Sequence, residues 1–307
     1  MVFTLMAGDM LIFIDANQYL DLYRVTKGKR LLSLLIEQQD YIFITMQIVE
    51  EIQRKKLQVA ADFLAKQFEQ IKVRGFDIPD HLFDISGETA TKLRKELNDI
   101  HQKIKDVNDE LVNASIETLQ RISQSKDEVS MALDVLFRKA VIHEAEELQR
   151  ARERKERGNP PGKKTDPLGD QLTWEQLLSH CKDKLRFWII SRDSDYFTKH
   201  LGGRFLNPFL YNDLVRLHKQ PPEVFCFDSI VDGLADFVQR TRVKSEKLPT
   251  PEESQEIKKE QEALPPLDWL VQDVANDVVI QIAKMRQRYS AAIIASTANQ
   301  GWNPGME

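Results

Sequence analysis

Short, uninterrupted runs of apolar residues recur along the chain, and each run is followed by a polar residue. They predict strands at residues 10–14, 41–44, 185–190 and 224–227. A run without polar alternation is typical of a strand that is covered on both faces, as in a parallel sheet. Segments with helical periodicity lie between these runs, and this alternation of strand and helix predicts an α/β core.

The middle of the chain has a different, purely helical pattern. Its apolar positions are spaced alternately by four and three residues, which is the repeat of a coiled-coil seam. The seam consists of Leu93, Leu97, Ile100, Ile104, Val107, Leu111 and Ala114. A second amphipathic helix is predicted from about 127 to 157, so residues 76–157 are predicted to be a helical hairpin inserted into the core. We favour a helical pair that covers the sheet, and an independent arm for dimerisation or sensing is the alternative.

The last part of the chain has the composition of a connection followed by a helix. Residues 243–266 are rich in Lys, Glu and Pro and lack apolar periodicity, which predicts a linker. A final helix is predicted from about Leu267 to Tyr289, followed by a frayed tail to residue 307. Residues 1–242 are therefore predicted to form the main domain.

Composition limits the classes of function and location. The 307 residues include 43 Lys and Arg against 48 Asp and Glu, a net charge of −5, so nucleic-acid binding needs a local argument. Cys181 and Cys226 are too few for a disulfide scaffold or a zinc site and fit a reducing, cytoplasmic compartment. The N-terminus lacks the features of a signal peptide, and no stretch approaches the roughly 18 apolar residues of a membrane span.

Acidic residues mark the ends of predicted strands and the starts of predicted helices. Asp15 ends the first strand, and Asp193 and Asp195 follow the third. Asp170 opens a helix, and Glu51 lies early in the helix after the second strand. Because parallel strands end at one edge of a sheet, we expect these carboxylates to gather there, where Mg²⁺ or Mn²⁺ would relieve their repulsion. Each acid taken alone has a structural alternative as a helix cap or a solvated residue.

Four short motifs with these acids occur in order along the chain. They are FIDAN at 13–17, IVEEI at 48–52, GDQLTW at 169–174 and SRDSDY at 191–196. Together they resemble the motifs of PIN-domain nucleases. The loop before the third motif and the helical middle are similar to a bacterial PIN-like subgroup with a helical insertion. The resemblance covers residues 10–242 and implies a mostly parallel sheet with helices on both faces.

The resemblance also implies an activity, which is metal-dependent cleavage of phosphodiester bonds, most often in RNA. It implies metal ligands at Asp15, Glu51, Asp170 and Asp193. Asp195 would be a secondary ligand or would hold water, and Asn17 and Ser191 would orient the ligands. Glu50 is the alternative ligand in the second motif, but we favour Glu51 because Ile52 directly follows Glu51. One or two metal ions would lower the pKa of a bound water and stabilise charge on the phosphate, so no side-chain nucleophile is needed.

A basic segment, residues 150–164, leads directly into the third motif. We expect it to bind a nucleic-acid backbone, because lysine and arginine neutralise phosphates. The expected contacts are Arg152, Arg154, Lys155, Arg157, Lys163 and Lys164. The alternative is a solvated helix end, where basic residues are favoured by the helix dipole.

The sequence thus predicts a metal-dependent endoribonuclease acting on RNA, and family analogy extends this to a bacterial toxin or an antiviral defence effector. A phosphohydrolase with Asp15 as nucleophile would need a second Asp two residues on, where this chain has Asn17. A third hypothesis is a catalytically inactive PIN-like module that binds nucleic acid or protein. The helical insertion and the C-terminal helix are the candidate surfaces for a protein partner or for self-association, and no membrane contact is expected.

Overall fold

A computed structural model describes residues 9–70, 88–162, 168–218 and 220–264. The strands are β1 (Met10–Ile14), β2 (Ile42–Phe43), β3 (Arg186–Ile190), β4 (Phe197–His200), β5 (Gly203–Leu206) and β6 (Glu223–Phe227). One sheet has the order β2-β1-β3-β6, and all of its strand pairs are parallel. The predicted α/β class with a mostly parallel sheet is therefore confirmed.

Helices connect and follow these strands. The helices before residue 124 are α1 (Ala16–Leu20), α2 (Lys29–Glu37), α3 (Met46–Gln70) and α4 (Glu88–Ser123). The later helices are α5 (Glu128–Phe137), α6 (Ala145–Glu156), α7 (Gly169–His180), α8 (Pro208–Leu217), α9 (Ile230–Thr241) and α10 (Pro251–Ala263). Thr45 caps α3, and its hydroxyl accepts a hydrogen bond from the Ile48 amide at 3.3 Å.

The carboxyl ends of the parallel strands are in register. Ile14 pairs with Ile190, which pairs in turn with Phe227. All five residues of β1 are buried, and because alternate side chains point to opposite faces of a strand, both faces of β1 are covered. Asp15 and Ser191, which follow β1 and β3, consequently lie at one level on one edge of the sheet.

The chain divides into two compact units. The first contains Met1–Leu57 and Arg121–Pro266, and the second contains Gln58–Gln120 and Leu267–Glu307. The parallel sheet and all four acidic motifs belong to the first unit. Within the described ranges, no helix has the length and apolar character needed to cross a membrane.

The strand predictions succeeded for the parallel sheet and failed for the hairpin of β4 and β5. These two strands pair antiparallel, with Phe197 opposite Leu206. Three of the four residues of β4 are exposed, and no residue of β5 is buried. The hairpin therefore lacks the continuous apolar run by which the other strands were predicted.

The coiled-coil seam lies on one helix, α4, as predicted, but its large side chains are not buried. The residues that are 36% to 53% exposed are Leu93, Leu97, Ile100, Val107 and Leu111. The seam is therefore an exposed face of α4, whereas a helical pair packed through that seam would have buried it. Residues 76–87 of the predicted hairpin lie outside the described ranges.

The predicted second helix over 127–157 is interrupted, so this prediction is corrected to two helices, α5 and α6. Between them, Val141 forms an isolated parallel bridge with Thr45. Its amide donates to the Ile44 carbonyl at 3.0 Å, and its carbonyl accepts from the Met46 amide at 2.9 Å. The new helix then begins with a capping box between Glu144 and Glu147. The backbone bonds of this extended segment are made at the end of β2, so helical periodicity did not reveal them.

The predicted linker over 243–266 is also corrected, because residues 251–263 form α10. Thr250 and Glu253 form a capping box at its start. Ile257 and Gln261 are buried, and Lys258 pairs with Asp232 of α9 at 2.7 Å. A single buried aliphatic residue leaves almost no hydrophobic periodicity, which explains the wrong prediction. The predicted helix over 267–289 lies outside the described residues.

Candidate active site at the carboxyl edge of the sheet

Asp15 is fixed at the end of β1 by contacts that reach across the sheet. Its amide donates to the Ile190 carbonyl at 3.0 Å, and its side chain is only 7% exposed. The carboxylate accepts hydrogen bonds from the Ser191 hydroxyl at 2.9 Å and from the Asn17 amide at 3.5 Å. It makes no capping bond to α1, although it occupies the N-cap position. The structural alternative of a helix cap therefore does not explain this side chain.

The segment after β3 forms a chain of hydrogen bonds that begins at Ser191. The Ser191 hydroxyl, which donates to Asp15, also accepts from the Asp193 amide at 3.0 Å. The Asp193 carboxylate accepts in turn from the Asp195 amide at 3.0 Å. This last bond closes a local turn. Such a turn is what we expect of Asp193 under the alternative that it only shapes the backbone. In Asp195, one carboxylate oxygen is buried without a hydrogen-bond partner.

Two helices bring the remaining carboxylates to the site. Glu51 lies in the second turn of α3, and its side chain is 21% exposed and pairs with Lys55 at 2.7 Å. Its neighbour Glu50 is 57% exposed and pairs with Arg54, so the structure favours Glu51 as the member of the site. Asp170 lies in the first turn of α7, where Leu168 is the N-cap. Asp170 is thus not the helix cap, and the positive end of the helix dipole favours its charge.

All four carboxylates lie near Tyr196, and Glu51 and Asp193 also lie near Asp15, because their charges act on the pKa of these two groups. The pKa of Asp15 is raised to about 7, first by burial, then by the charge of Glu51 and less by that of Asp193, while the Ser191 hydrogen bond opposes the rise. Burial also raises the pKa of Tyr196, and four nearby charges raise it further. In order of effect these are Asp170, Asp15, Asp193 and Glu51. We call these four residues the carboxylate cluster; it surrounds Tyr196, whose ring also contacts Phe13.

The donor chemistry of the carboxylate cluster fits a hard divalent cation. Its donor atoms are carboxylate oxygens, which hard cations prefer. Repulsion between like charges disfavours the ionised form of Asp15, and a bound cation would favour that form instead. The unpartnered oxygen of Asp195 is a further donor nearby in the chain. Among the described residues, however, no three or more His, Cys, Asp or Glu side chains are arranged to hold a metal ion. The carboxylates therefore interact through their charges without forming a closed coordination shell.

The basic segment divides into residues inside the protein and residues outside it. Arg154 is 7% exposed and donates to Glu175 at 2.7 Å, to Asp213 at 2.8 Å and to the Pro160 carbonyl at 2.7 Å. Its expected contact with nucleic acid is therefore wrong. Arg150, one turn earlier on α6, also pairs with Glu175, at 3.0 Å. We call Arg150, Arg154, Glu175 and Asp213 the arginine cluster.

The other basic residues have different surroundings. Arg152 is exposed, and Arg157 is 73% exposed with Glu153 at 4.0 Å. Lys155 is half-buried, whereas Lys163 and Lys164 lie outside the described residues. On α6 and its end, Arg152, Lys155 and Arg157 therefore remain the expected contacts with nucleic acid.

Two residues of this region were missed by the sequence analysis. Tyr196 lies among the carboxylates, and the aromatic position that closes the fourth motif was the available signal. Asp21 is fully buried and pairs with both Arg24 and Arg192. No local pattern distinguishes Asp21 from a surface residue, because its partner Arg192 is far away in the sequence.

Comparisons with known proteins add one finding to this geometry. A family model described as "PIN domain" matches residues 12–196, more than half of the chain and including all four motifs. The comparisons with curated proteins and with solved structures find no match.

Proposed function

This chain belongs to the PIN-domain family, whose members are generally nucleases, and from that premise we propose that it is a metal-dependent endoribonuclease. The observation that supports the proposal is the carboxylate cluster around Tyr196, in which the pKa of Asp15 is raised to about 7. Carboxylates that only stabilised the fold would be expected to have basic partners or capping bonds, and Asp15 is held instead by a hydroxyl and an amide.

In this proposal Asp15, Glu51, Asp170 and Asp193 hold Mg²⁺ or Mn²⁺. When bound, such an ion supplies Lewis-acid stabilisation of phosphate charge and lowers the pKa of water. Ser191 orients Asp15, because its hydroxyl donates to that carboxylate while accepting from the Asp193 amide. Ser191 is fully buried, so in this proposal its hydroxyl positions ligands and a water molecule is the nucleophile. Asp195 has a free buried oxygen with which to hold water or serve as a secondary ligand.

RNA is the proposed substrate, and the exposed residues of the basic segment are its proposed contacts. Arg152 and Arg157 extend into solvent from α6 and its C-terminal end and would neutralise phosphates. Lys155, Lys163 and Lys164 complete the proposed surface. A role as a bacterial toxin or antiviral defence effector in the cytoplasm is proposed from family analogy alone.

The test is a cleavage assay on the full chain with structured RNA, unstructured RNA and single-stranded DNA, in Mn²⁺, Mg²⁺ or EDTA. We expect RNA cleavage with either metal and none in EDTA. Asp170→Asn and Asp193→Asn should each reduce cleavage at least about 100-fold, since each removes a charged ligand. The Asp15/Asp193 double variant should lose little more than either single variant, because residues that act as a unit are not additive.

Asp134→Asn is the matched control, since Asp134 on α5 is 54% exposed and pairs locally with Arg138 at the end of that helix. It should cleave as the wild type does. Full activity in EDTA, or in Asp170→Asn, would overturn the proposal. RNA binding without cleavage in any metal would support the inactive binding module instead, and a trapped phosphoenzyme on Asp15 would support the phosphohydrolase.

A further inference from the structure

Arg192 lies between Ser191 and Asp193, yet its side chain is held away from solvent by two other parts of the fold. One nitrogen of its guanidinium pairs with Asp21. The other donates to the backbone carbonyl of Gln261 in α10 at 3.0 Å. The side chain is only 25% exposed. Arg192 is therefore engaged with protein groups at both ends of its guanidinium.

The first of these contacts connects the two segments that carry Asp15 and Asp193. Asp21 is fully buried in a short 3-10 helix that directly follows α1, and α1 begins at the residue after Asp15. Asp21 pairs with Arg24 of the same turn and with Arg192 of the turn after β3. A buried carboxylate with two arginine partners is costly to separate, so the two segments are held together firmly.

The second contact connects this edge of the sheet with the end of α10. The Gln261 carbonyl is one of the last in α10 and also accepts from the Leu264 amide at 3.2 Å, and the helix dipole favours a positive charge at this end. The Gln261 side chain accepts a hydrogen bond from the Ser229 hydroxyl at 2.8 Å, directly after β6. The C-terminal end of α10 therefore contacts the residues that follow β3 and β6.

Contacts along the rest of α10 hold that end in place. Ile257 is buried, and Lys258 pairs with Asp232 of α9. Glu260 accepts hydrogen bonds from the Thr26 amide at 2.9 Å and from the Thr26 hydroxyl at 2.6 Å. The helix is thus attached to Thr26, a few residues after Asp21, and to α9.

We propose that Asp21 and α10 form a brace that positions the Ser191–Asp193 turn through Arg192. The effect of this brace on catalysis rests on the proposed function, whereas the brace itself does not. Arg192 is a positioning residue, because both of its contacts are protein groups. Without the brace, the turn would lose the geometry in which Ser191 bonds to Asp15 and to the Asp193 amide. Outer-shell partners of metal ligands typically contribute 10–100-fold to metal affinity or activity, so an effect of about that size is expected.

The variants are Arg192→Gln, Arg192→Lys and Ile257→Asp, with Arg138→Gln as the control. Glutamine removes the charge, lysine keeps the pair with Asp21 but cannot reach both partners, and aspartate at 257 detaches α10 without altering Arg192. Arg138 is 77% exposed and pairs with Asp134, four residues earlier. Each full-length protein is measured by hydrogen exchange of the peptide 191–196 without metal, by Mn²⁺ titration calorimetry, and by kcat and KM on RNA with Mn²⁺ present.

We expect faster exchange over 191–196 in Arg192→Gln and Ile257→Asp, while β1 stays protected and so shows that the fold persists. Mn²⁺ affinity and kcat should fall at least about 10-fold in Arg192→Gln with KM within about twofold, and Arg192→Lys should recover part of the loss. If Arg192 only stabilised the fold, Arg192→Gln would lower Tm and leave Mn²⁺ affinity unchanged. The Arg138→Gln protein should behave as the wild type.

Unchanged exchange over 191–196 in both Arg192→Gln and Ile257→Asp would overturn the brace. A raised KM with unchanged Mn²⁺ affinity would also overturn it, because Arg192 would then contact the substrate. If the wild type neither binds Mn²⁺ nor cleaves RNA, the proposed function fails, whereas hydrogen exchange still decides whether the brace exists.

Discussion

Helix α7 carries two acidic residues whose surroundings are opposite. Asp170, in its first turn, belongs to the carboxylate cluster around Tyr196. Glu175 belongs to the arginine cluster, where it accepts from Arg150 and Arg154 at 3.0 Å and 2.7 Å. Each cluster has one member on this helix, yet one cluster brings like charges together and the other pairs each carboxylate with arginine.

The difference separates carboxylates that arginine neutralises from carboxylates whose like charges act on one another. In the arginine cluster, Asp213 also accepts from the Trp174 indole at 3.2 Å, so hydrogen bonds complement the ion pairs. In the carboxylate cluster, repulsion and burial raise the pKa of Asp15 to about 7. Perturbed carboxylates gathered at one place are typical of functional sites, whereas a fully paired cluster is typical of structure. Variants in the two clusters should therefore change stability in opposite directions.

The largest expected effect is on the arginine cluster. Arg154→Ala leaves Glu175 and Asp213 buried without their shared partner, which should lower the free energy of unfolding by about 3–5 kcal/mol. Urea unfolding measures this loss. Arg152→Ala is the control on the same helix; since Arg152 is exposed, it should change stability by less than about 0.5 kcal/mol. Equal effects of the two variants would contradict the distinction between the inner and outer faces of α6.

Asp15→Asn in the carboxylate cluster should have the opposite sign. At pH 8 and in EDTA, ionised Asp15 is disfavoured by burial, by Glu51 and by Asp193, and asparagine removes that cost. We expect an increase in unfolding free energy of about 1–2 kcal/mol, because each pKa unit corresponds to about 1.4 kcal/mol and the Ser191 bond is weakened. Thermal and urea unfolding measure the increase. A loss of stability would mean that Asp15 is structural, as Glu175 is.

Asp228 sharpens the comparison, because it follows β6 at the same edge as Asp15 but has basic partners. It pairs with Lys199 at 2.7 Å and with Arg204 at 2.5 Å. Burial alone would raise its pKa, but these two partners outweigh burial and hold the pKa below its usual value.

Asp228→Asn should therefore destabilise the protein by about 1 kcal/mol at pH 7. A carboxyl whose pKa is lowered by folding contributes stability above its unfolded pKa and loses that contribution as pH falls through the folded value. The difference from the wild type should consequently shrink below about pH 4, the usual aspartate pKa. Unfolding by urea from pH 3 to 7 tests this; a difference that grows toward low pH would have the wrong sign.

The smallest effect on stability is expected on the outer face of α6. Changing both Arg152 and Arg157 to Ala should leave stability within about 0.5 kcal/mol. RNA affinity should fall, and the slope of log affinity against log salt should decrease by about 0.7 for each phosphate that the protein no longer neutralises. The measurement is fluorescence anisotropy with labelled RNA at several salt concentrations, with Arg138→Ala as the control. An unchanged slope would identify this surface as a solvated helix end.

The parts of the fold that were predicted correctly are those whose information is local. The run over Met10–Ile14 is apolar at every position, so its burial on both faces of the sheet was evident from the sequence. The β4–β5 hairpin and α10 are held by contacts with distant residues, such as Lys199 with Asp228 and Lys258 with Asp232. Neither has an apolar run or periodicity of its own, and both were missed.

The acidic motifs were found from the sequence for the same reason, because each is a short pattern next to a predictable strand or helix. Which charges are neutralised was decided only by the tertiary structure. Arg152 and Arg154 are both basic residues of one helix, but a helix turns about 100° per residue, so two positions apart they point in nearly opposite directions. The partners of Arg154, Glu175 and Asp213, lie 21 and 59 residues away and come within 3 Å of it only when α6, α7 and α8 pack together.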